Sequence, residues 1–302
     1  MRTQESKEKF MTTGFTADVA VLGSGLMGSA VAKAMAAAGN RVIVWNRTLA
    51  KAEALKGNNI EVAPGAQAAF DAAPVVMTSV GNSDDVRAVF EQATSVAGHT
   101  LVNVTSGTSR EAHSLAAWAK DNGAAYIDGA ILAYPKHLGT DQGLVVFSGD
   151  KKAWDGISNL MQGVGNPRFV GENVGAAQTI DNCVAGAFNM AALVAMIESA
   201  TVATDNGVSA DELKYALSHV LGYFPGFVEE VVTNVAGDSH DTDQATLQVY
   251  GSAAQVVVKD LQDSGYNARM MNAVADALRV AMEAGLGDDA ITAVQRIIRK
   301  HA

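Results

Sequence analysis

Residues 18–48 read DVAVLGSGLMGSAVAKAMAAAGNRVIVWNRT. Two short apolar runs in this stretch, Asp18–Leu22 and Arg41–Trp45, have the length and β-branched content of buried strands. Between them lie the turn Gly23-Ser24-Gly25 and a helical segment from Leu26 to about Ala38, which Gly39-Asn40 closes as a helix C-terminus requires. Strand, glycine turn, helix and strand together are the unit from which parallel sheets are built. The spacing Gly23-x-Gly25-x-x-Gly28 gives each glycine its own task. Gly23 permits the tight turn, Gly25 leaves room for a pyrophosphate against the backbone, and Gly28 lets helix and strand pack closely. Alone the spacing is weak, since such a turn can bind nothing; a strand before it and a helix and second strand after it make it a dinucleotide signature.

Which dinucleotide is decided at the end of the second strand. An acidic residue there would hold the free ribose 2′-hydroxyl of NAD. This chain has Asn46-Arg47-Thr48 with Lys51 one turn on. Arg47 can pair with a 2′-phosphate in fork geometry and Thr48 can donate to it, so the expected cofactor is NADPH. The bland alternative is that Arg47 and Lys51 are solvated surface charges. The expected contacts are Gly23, Ser24, Gly25, Leu26, Met27 and Gly28 in the first turn and Asn46, Arg47, Thr48 and Lys51 in the second. Ser79, Val80, Thr105 and Ser106 join them at the ends of later strands, where hydroxyls either orient the nicotinamide end or cap the helices that follow.

Further apolar runs follow at Val75–Val80, Leu101–Val104, Ala125–Ile131, Leu144–Phe147 and Arg168–Val170, with helical stretches at Ser83–Val96 and Ser109–Asp121. This alternation predicts an α/β domain: a doubly wound parallel sheet of Rossmann type, helices on both faces, over 17–172. Beyond Gly171 the strand signals stop. A capping box at Ser209–Glu212 opens a helix through His219, Gly222–Gly226 reads as a kink or turn, and Gly237–Gln244 reads as a polar loop. Helical patterns cover Phe227–Val235, Thr246–Leu261, Ala268–Ala284 and Asp288–Lys300, which predicts an all-α domain over 173–302. Residues 1–16 are expected to be an unstructured extension, with no apolar run of the kind a signal peptide carries.

The second domain opens with the most apolar stretch, Cys183–Ile197, CVAGAFNMAALVAMI. Helix formers surround it, and a helix over 174–208 would be roughly 45–50 Å long. Asp181, Asn189 and Glu198 interrupt its apolar run short of the roughly 20 residues a bilayer needs. It is therefore expected to be a long inter-domain helix, buried on all sides and shared with a second subunit in a homodimer. Asp181, nearly alone in charge near its start, is the candidate catalytic carboxylate; a helix-start acid favoured by the dipole is the other reading.

Composition narrows the partners. The 302 residues carry a net charge of −10, which argues against nucleic acid and anionic membranes and leaves any polyanionic cofactor dependent on local cations. The single cysteine, Cys183, can form no internal disulfide, so a cytoplasmic setting is expected. The six histidines show no metal spacing and read as surface residues; no metal site is expected.

The motifs GSGLMG (23–28), WNRT (45–48), VNVTSGT (102–108), YIDGAILAYPKHLG (126–139), FSG (147–149) and GAAQTID (175–181) resemble the imine reductase and reductive aminase family, within the β-hydroxyacid dehydrogenase group. The resemblance spans roughly 18–299. A hydroxyacid dehydrogenase of that group would carry a serine-glycine-glycine carboxylate site where this chain has Ile131–Pro135, and a lysine in place of Asp181. The exchange has a charge logic. Reducing a ketone builds negative charge that an ammonium stabilises, whereas an iminium is a cation that a carboxylate attracts. The resemblance thus implies an NADPH-dependent imine reductase acting on cyclic imines or on iminium ions formed from a carbonyl and an amine, with Asp181 as the acidic group. Tyr134, Asn189, Tyr223, Phe224 and Tyr250 are candidates to line the substrate pocket, as are Tyr215 and Phe227; the aromatics at helical spacing have plain core as their other reading. Lys259 lies in a stretch similar to a cofactor contact of the parent group. The alternatives are a β-hydroxyacid or semialdehyde dehydrogenase and a non-catalytic NADPH-binding sensor.

Overall fold

The structure is a computed structural model that describes residues 15–299. The expected extension at 1–16 thus lies outside the described residues except for its last two. The chain divides between Ala187 and Phe188 into two compact units.

The first unit runs β1 (Val19–Leu22), α1 (Leu26–Ala37), β2 (Val42–Trp45), α2 (Leu49–Glu53), β3 (Ile60–Val62), α3 (Ala66–Ala72), β4 (Val75–Thr78), α4 (Ser83–Phe90), β5 (Thr100–Asn103), α5 (Ser109–Asp121) and β6 (Ala125–Ile131). A 3₁₀ turn at Pro135–His137 follows, then β7 (Leu144–Gly149), α6 (Lys151–Met161), β8 (Asn166–Phe169) and α7 (Ala176–Ile180). The strands form one sheet in the order β3-β2-β1-β4-β5-β6-β7-β8. Every neighbouring pair is parallel except β6 and β7, which are antiparallel. The expectation of a wholly parallel sheet is corrected there. Between β6 and β7 the chain has only a single 3₁₀ turn and no crossover helix, so it doubles back.

The central strand β1 is buried along its whole length, and its side chains alternate between two cores. Val19 and Val21 join Met35, Val44, Met77 and Val102 on one face. Ala20 and Leu22 join Ile43, Phe70, Val76, Phe90 and Leu101 on the other. Helix α1 closes as its sequence predicts: Gly39 is left-handed, its N–H reaches Ala36 C=O at 3.0 Å, and the Asn40 N–H reaches Met35 C=O at 3.2 Å. The helix expected over Ser83–Val96 ends at Phe90, and the short elements β3, α2, α3 and α6 escape the sequence patterns.

The second unit holds α8 (Asn189–Asp205), α9 (Ala210–Leu221), α10 (Phe224–Gly237), α11 (Leu247–Asp263), α12 (Arg269–Glu283) and α13 (Gln295–Ile298). Its core lies between α11 and α12, around Leu247, Ala254, Leu278 and Ala281. Gly251 makes that contact close, because a Cβ there would stand 2.7 Å from the Met282 sulfur. The expected kink at Gly222–Gly226 is the start of α10, with Pro225 in its first turn, where the missing N–H costs nothing. Ser209 accepts the Glu212 N–H as half of the anticipated capping box. The helix expected over Asp288–Lys300 is instead a 3₁₀ turn, Ile291–Val294, followed by the four residues of α13.

The long helix is continuous from Ala176 to Asp205 but not uniform, since Asp181–Phe188 winds as π-helix. The single chain does not itself bury it: Val184, Phe188, Met190, Val194 and Ile197 are exposed, the surface for which a second subunit is expected. By length and composition it could cross a membrane, with a mean hydropathy of 1.6 over its best window. Glu198 nevertheless accepts the Met270 and Met271 N–H groups at 3.2 and 3.4 Å, capping α12, whose own N-cap, Ala268, has no side-chain acceptor. The expectation of surface histidines is corrected at one position. His240, within the expected polar loop, is 3% exposed, and its Nδ1 lies 3.0 Å from Thr292 Oγ1.

Candidate active site

The glycine turn between β1 and α1 has the geometry its spacing demands. Gly23 has φ +105°, and a Cβ there would fall 2.1 Å from the Ser79 carbonyl oxygen. A Cβ on Gly28 would fall 2.0 Å from the Gly23 carbonyl oxygen, so neither position admits a side chain. Gly25 is different: nothing lies within 4 Å of its would-be Cβ. It is the N-cap of α1 and offers no side-chain acceptor, which leaves the first N–H groups of the helix, over Leu26 and Met27, facing open space. An anion is the natural occupant.

Asn46 ties this turn to the next. Its Oδ1 accepts the Ser24 N–H at 3.0 Å, and its Nδ2 donates to the Thr48 C=O at 3.0 Å. A cavity of about 460 Å³ opens beside the two turns, lined by Gly25, Met27, Asn46, Arg47, Thr48, Lys51, Ser79 and Val80 among others. Thr48 begins α2, yet its hydroxyl makes no capping bond and stays available. One carboxylate, Asp85 from α4, also lines the cavity, on the side of Gly81. A cleft of about 900 Å³ beside α1 shares Gly25, Leu26 and Lys51 with it and adds Ser24, Lys33 and Lys136. The glycine cradle, the free helix N-terminus and the cationic second turn fit a phosphorylated dinucleotide.

At the ends of the next strands the hydroxyls divide their work. Thr105 is buried and accepts the Val80 N–H at 3.0 Å, so it braces one strand end against another. Thr108 caps α5 in a full capping box with Glu111, whose carboxyl is held below its ordinary range by the Thr108 hydroxyl and N–H. Ser106, between them, is exposed and lies beside the Asp181 carboxyl. Asp181 is half-buried on the first π-helical turn; burial raises its pKa, and the Ser106 hydrogen bond opposes that rise. Helix α7, which delivers it, is seated by the buried Ser148, whose hydroxyl donates to Val174 C=O at 2.8 Å and accepts the Ala177 N–H at 3.0 Å.

The candidate pocket residues divide between the two units. Tyr134 is an exposed residue of the first unit, T-shaped against His137. In the second unit Phe224 bridges Phe188 and Phe227, at 6.5 and 6.2 Å between ring centroids. The Tyr223 hydroxyl lies 2.6 Å from His219 Nε2, and His219 stacks on Tyr215. Asn189 and Tyr250 are exposed. Lys259 is spent on an exposed ion pair with Asp263.

One polar row has no counterpart in the sequence reading. Thr78 and Asn103, at the ends of β4 and β5, and Asp128, in the middle of β6, are register partners, all buried. Thr78 Oγ1 donates to Asn103 Oδ1 at 3.1 Å. Asp128 Oδ1 accepts from the Tyr126 hydroxyl at 3.2 Å and from Gln178 Nε2 at 3.4 Å, while Oδ2 has no partner. Burial pushes the Asp128 carboxyl up to about 7, against hydrogen bonds from Gln178, Tyr126 and Asn103 that favour its charge. Burial, and then the Asp128 charge, also push the Tyr126 phenol up. The signal was present in the sequence: VVMT, TLVN and the first half of AYIDGAI each run apolar and then turn polar.

Residues 18–186, more than half of the chain, match the family model described as the NAD binding domain of 6-phosphogluconate dehydrogenase. The chain belongs to that family. Residues 173–300 match a second model, the NADPH-dependent reductive aminase-like C-terminal domain, so the resemblance read from the motifs is borne out in both parts. An NADPH-dependent reductive aminase of Aspergillus oryzae is 23% identical over 283 residues, covering 91% of this chain and 95% of that protein. A reductive aminase of Aspergillus terreus, solved with NADPH and ethyl levulinate, superposes with TM-score 0.87 at 24% identity, covering 94% of this chain and all of the other. An imine reductase of Myxococcus stipitatus, solved with NADP⁺, superposes with TM-score 0.84 at 26% identity, covering 93% and 100%.

Proposed function

We propose that the protein is an NADPH-dependent imine reductase, active on cyclic imines and on iminium ions formed from a carbonyl and an amine. The observation that carries this reading is Asp181: a half-buried carboxyl, its pKa raised by burial, with Ser106 beside it at the strand ends of a dinucleotide-binding sheet. NADPH, when bound, supplies the hydride. Gly25 and the start of α1 would hold its pyrophosphate, and Arg47, Thr48 and Lys51 its 2′-phosphate. Reduction of a neutral imine adds one proton at nitrogen. The Asp181 carboxyl is the group proposed to deliver it; with a preformed iminium, its carboxylate balances the cation until the charge is discharged.

The test sets NADPH oxidation with a cyclic imine beside NADP⁺ reduction with a 3-hydroxy acid. Turnover of the imine alone supports the reading. Turnover of the hydroxy acid alone assigns the chain to the dehydrogenases of the parent group, and tight NADPH binding without either turnover makes it a sensor.

We further propose a homodimer in which the second unit is the interface and the active sites are shared between subunits. The exposed apolar side chains Phe188, Met190, Ile197, Phe227, Val232 and Val256 support this, being more than a water-facing surface carries. A second copy would cover them. Light scattering showing a stable, active monomer at micromolar concentration would refute it. A cytoplasmic setting is proposed from the one free thiol, Cys183, and is tested by cell fractionation.

A further inference from the structure

Three residues before Asp181, the side chain of Gln178 is 1% exposed and fully engaged. Its Oε1 accepts the Gly107 N–H at 2.9 Å. Its Nε2 donates to Thr105 C=O and Gly129 C=O, each at 3.2 Å, and to Asp128 Oδ1 at 3.4 Å. One turn on, Asn182 Nδ2 donates to Gly107 C=O at 3.0 Å. Both backbone groups of Gly107 are therefore held by side chains four residues apart on one helix. Ser106 lies between the clamped Thr105 and Gly107, beside the Asp181 carboxyl.

A buried amide this saturated has a single usable rotamer, and every bond it makes ends on the loop 105–107 or on β6. The helix alone would not set the position of Asp181. The winding of the long helix changes from α to π at Asp181 itself, so the regular helical repeat does not carry through this residue. We propose that Gln178 is the positioning residue of the site: it pins the first helical turn to the 105–107 loop and to β6, and so fixes the Asp181 carboxyl relative to Ser106. This inference rests on the reading in which Asp181 acts at the reacting nitrogen. The titratable groups around the clamp are Asp128 and Tyr126 of β6 and Glu111 and His113 of α5; His113 lies against Gly175, and Glu111 against Gly107.

Gln178→Met keeps the volume and removes all four hydrogen bonds. In the protein without cofactor, the Gly107 amide of the variant is expected to exchange with solvent about tenfold faster or more, by residue-resolved hydrogen exchange. With NADPH and a cyclic imine, kcat is expected to fall about 10–100-fold, the cost of a displacement on the order of 1 Å, while the NADPH Kd stays within about twofold. A purely structural glutamine would lower the melting temperature and leave kcat untouched well below it. A folded Gln178→Met with wild-type kcat overturns the proposal. Should that variant fail to fold, Gln178→Glu keeps the acceptor for Gly107 and loses the donated bonds; wild-type kcat there overturns it equally. Asp181→Asn is assayed alongside. If Asp181→Asn loses activity and the Gln178 variants do not, positioning alone is wrong. If Asp181→Asn reduces the imine at the wild-type rate, the functional reading fails and positioning falls with it, whatever Gly107 exchange reports.

Discussion

Replacing Asp128 by asparagine should remove a pH dependence of stability that the fold builds into this unit. The carboxyl is fully buried, with one oxygen bonded and the other without a partner, and its pKa stands at about 7 against an ordinary 3.8. Between those two values the folded chain keeps a proton that the unfolded chain has released. Stability therefore falls as pH rises across this window, by about 1.4 kcal/mol per unit, and levels off above 7. The whole loss is on the order of 4 kcal/mol; below 3.8 both states are protonated and the penalty vanishes. Asparagine keeps the acceptor for Tyr126 and Gln178 and cannot ionise. The variant should match the wild type near pH 4 and exceed it by up to ~4 kcal/mol at pH 8. All three tryptophans, Trp45, Trp118 and Trp154, lie in the sheet unit, so denaturant titrations followed by their fluorescence report on the right part of the chain. Comparing the two proteins cancels opposing contributions from Asp18 and Glu111, whose pKa values are lowered. Parallel stability curves between pH 4 and 8 would refute the reasoning.

Three further outcomes are expected. Arg47→Ala should weaken NADPH binding by about 1.5–3 kcal/mol and leave NADH binding nearly unchanged, read by fluorescence titration with each cofactor. Asp181→Asn keeps size and hydrogen bonding while removing charge and proton, so kcat on a cyclic imine should drop about 10²–10⁴-fold with NADPH Kd unaltered. Since the Asp181 pKa is raised, protonation of the free enzyme's carboxyl persists to higher pH than for an ordinary aspartate, and the wild-type kcat/KM profile should carry a descending limb that the asparagine variant lacks. Glu198→Ala removes the cap on α12 and should cost about 1 kcal/mol, seen as a lower melting temperature in circular dichroism.

What the sequence determined by itself is local chemistry. Gly23, Gly25 and Gly28 carry their roles in their spacing, because a backbone that admits no Cβ at two of three positions can be read wherever it occurs. Arg47 after β2 and the capping box at Thr108 are legible for the same reason, each depending on neighbours a few residues away. The direction of β7 was not legible: a strand's pattern records which faces are buried and is the same whichever way the chain runs. Nor was the exposure of the long helix, since an apolar side chain looks alike whether its own chain or another covers it. The same limit hid the core of the site. Gln178 and Asp128 are 50 residues apart, and nothing adjacent to either marks the other. Only the tertiary structure closes β6 against α7, strips Asp128 of water and leaves a glutamine as its neighbour. Desolvation is a property of the assembled surroundings, so the perturbed carboxyls at this site could be recognised only once the chain was folded.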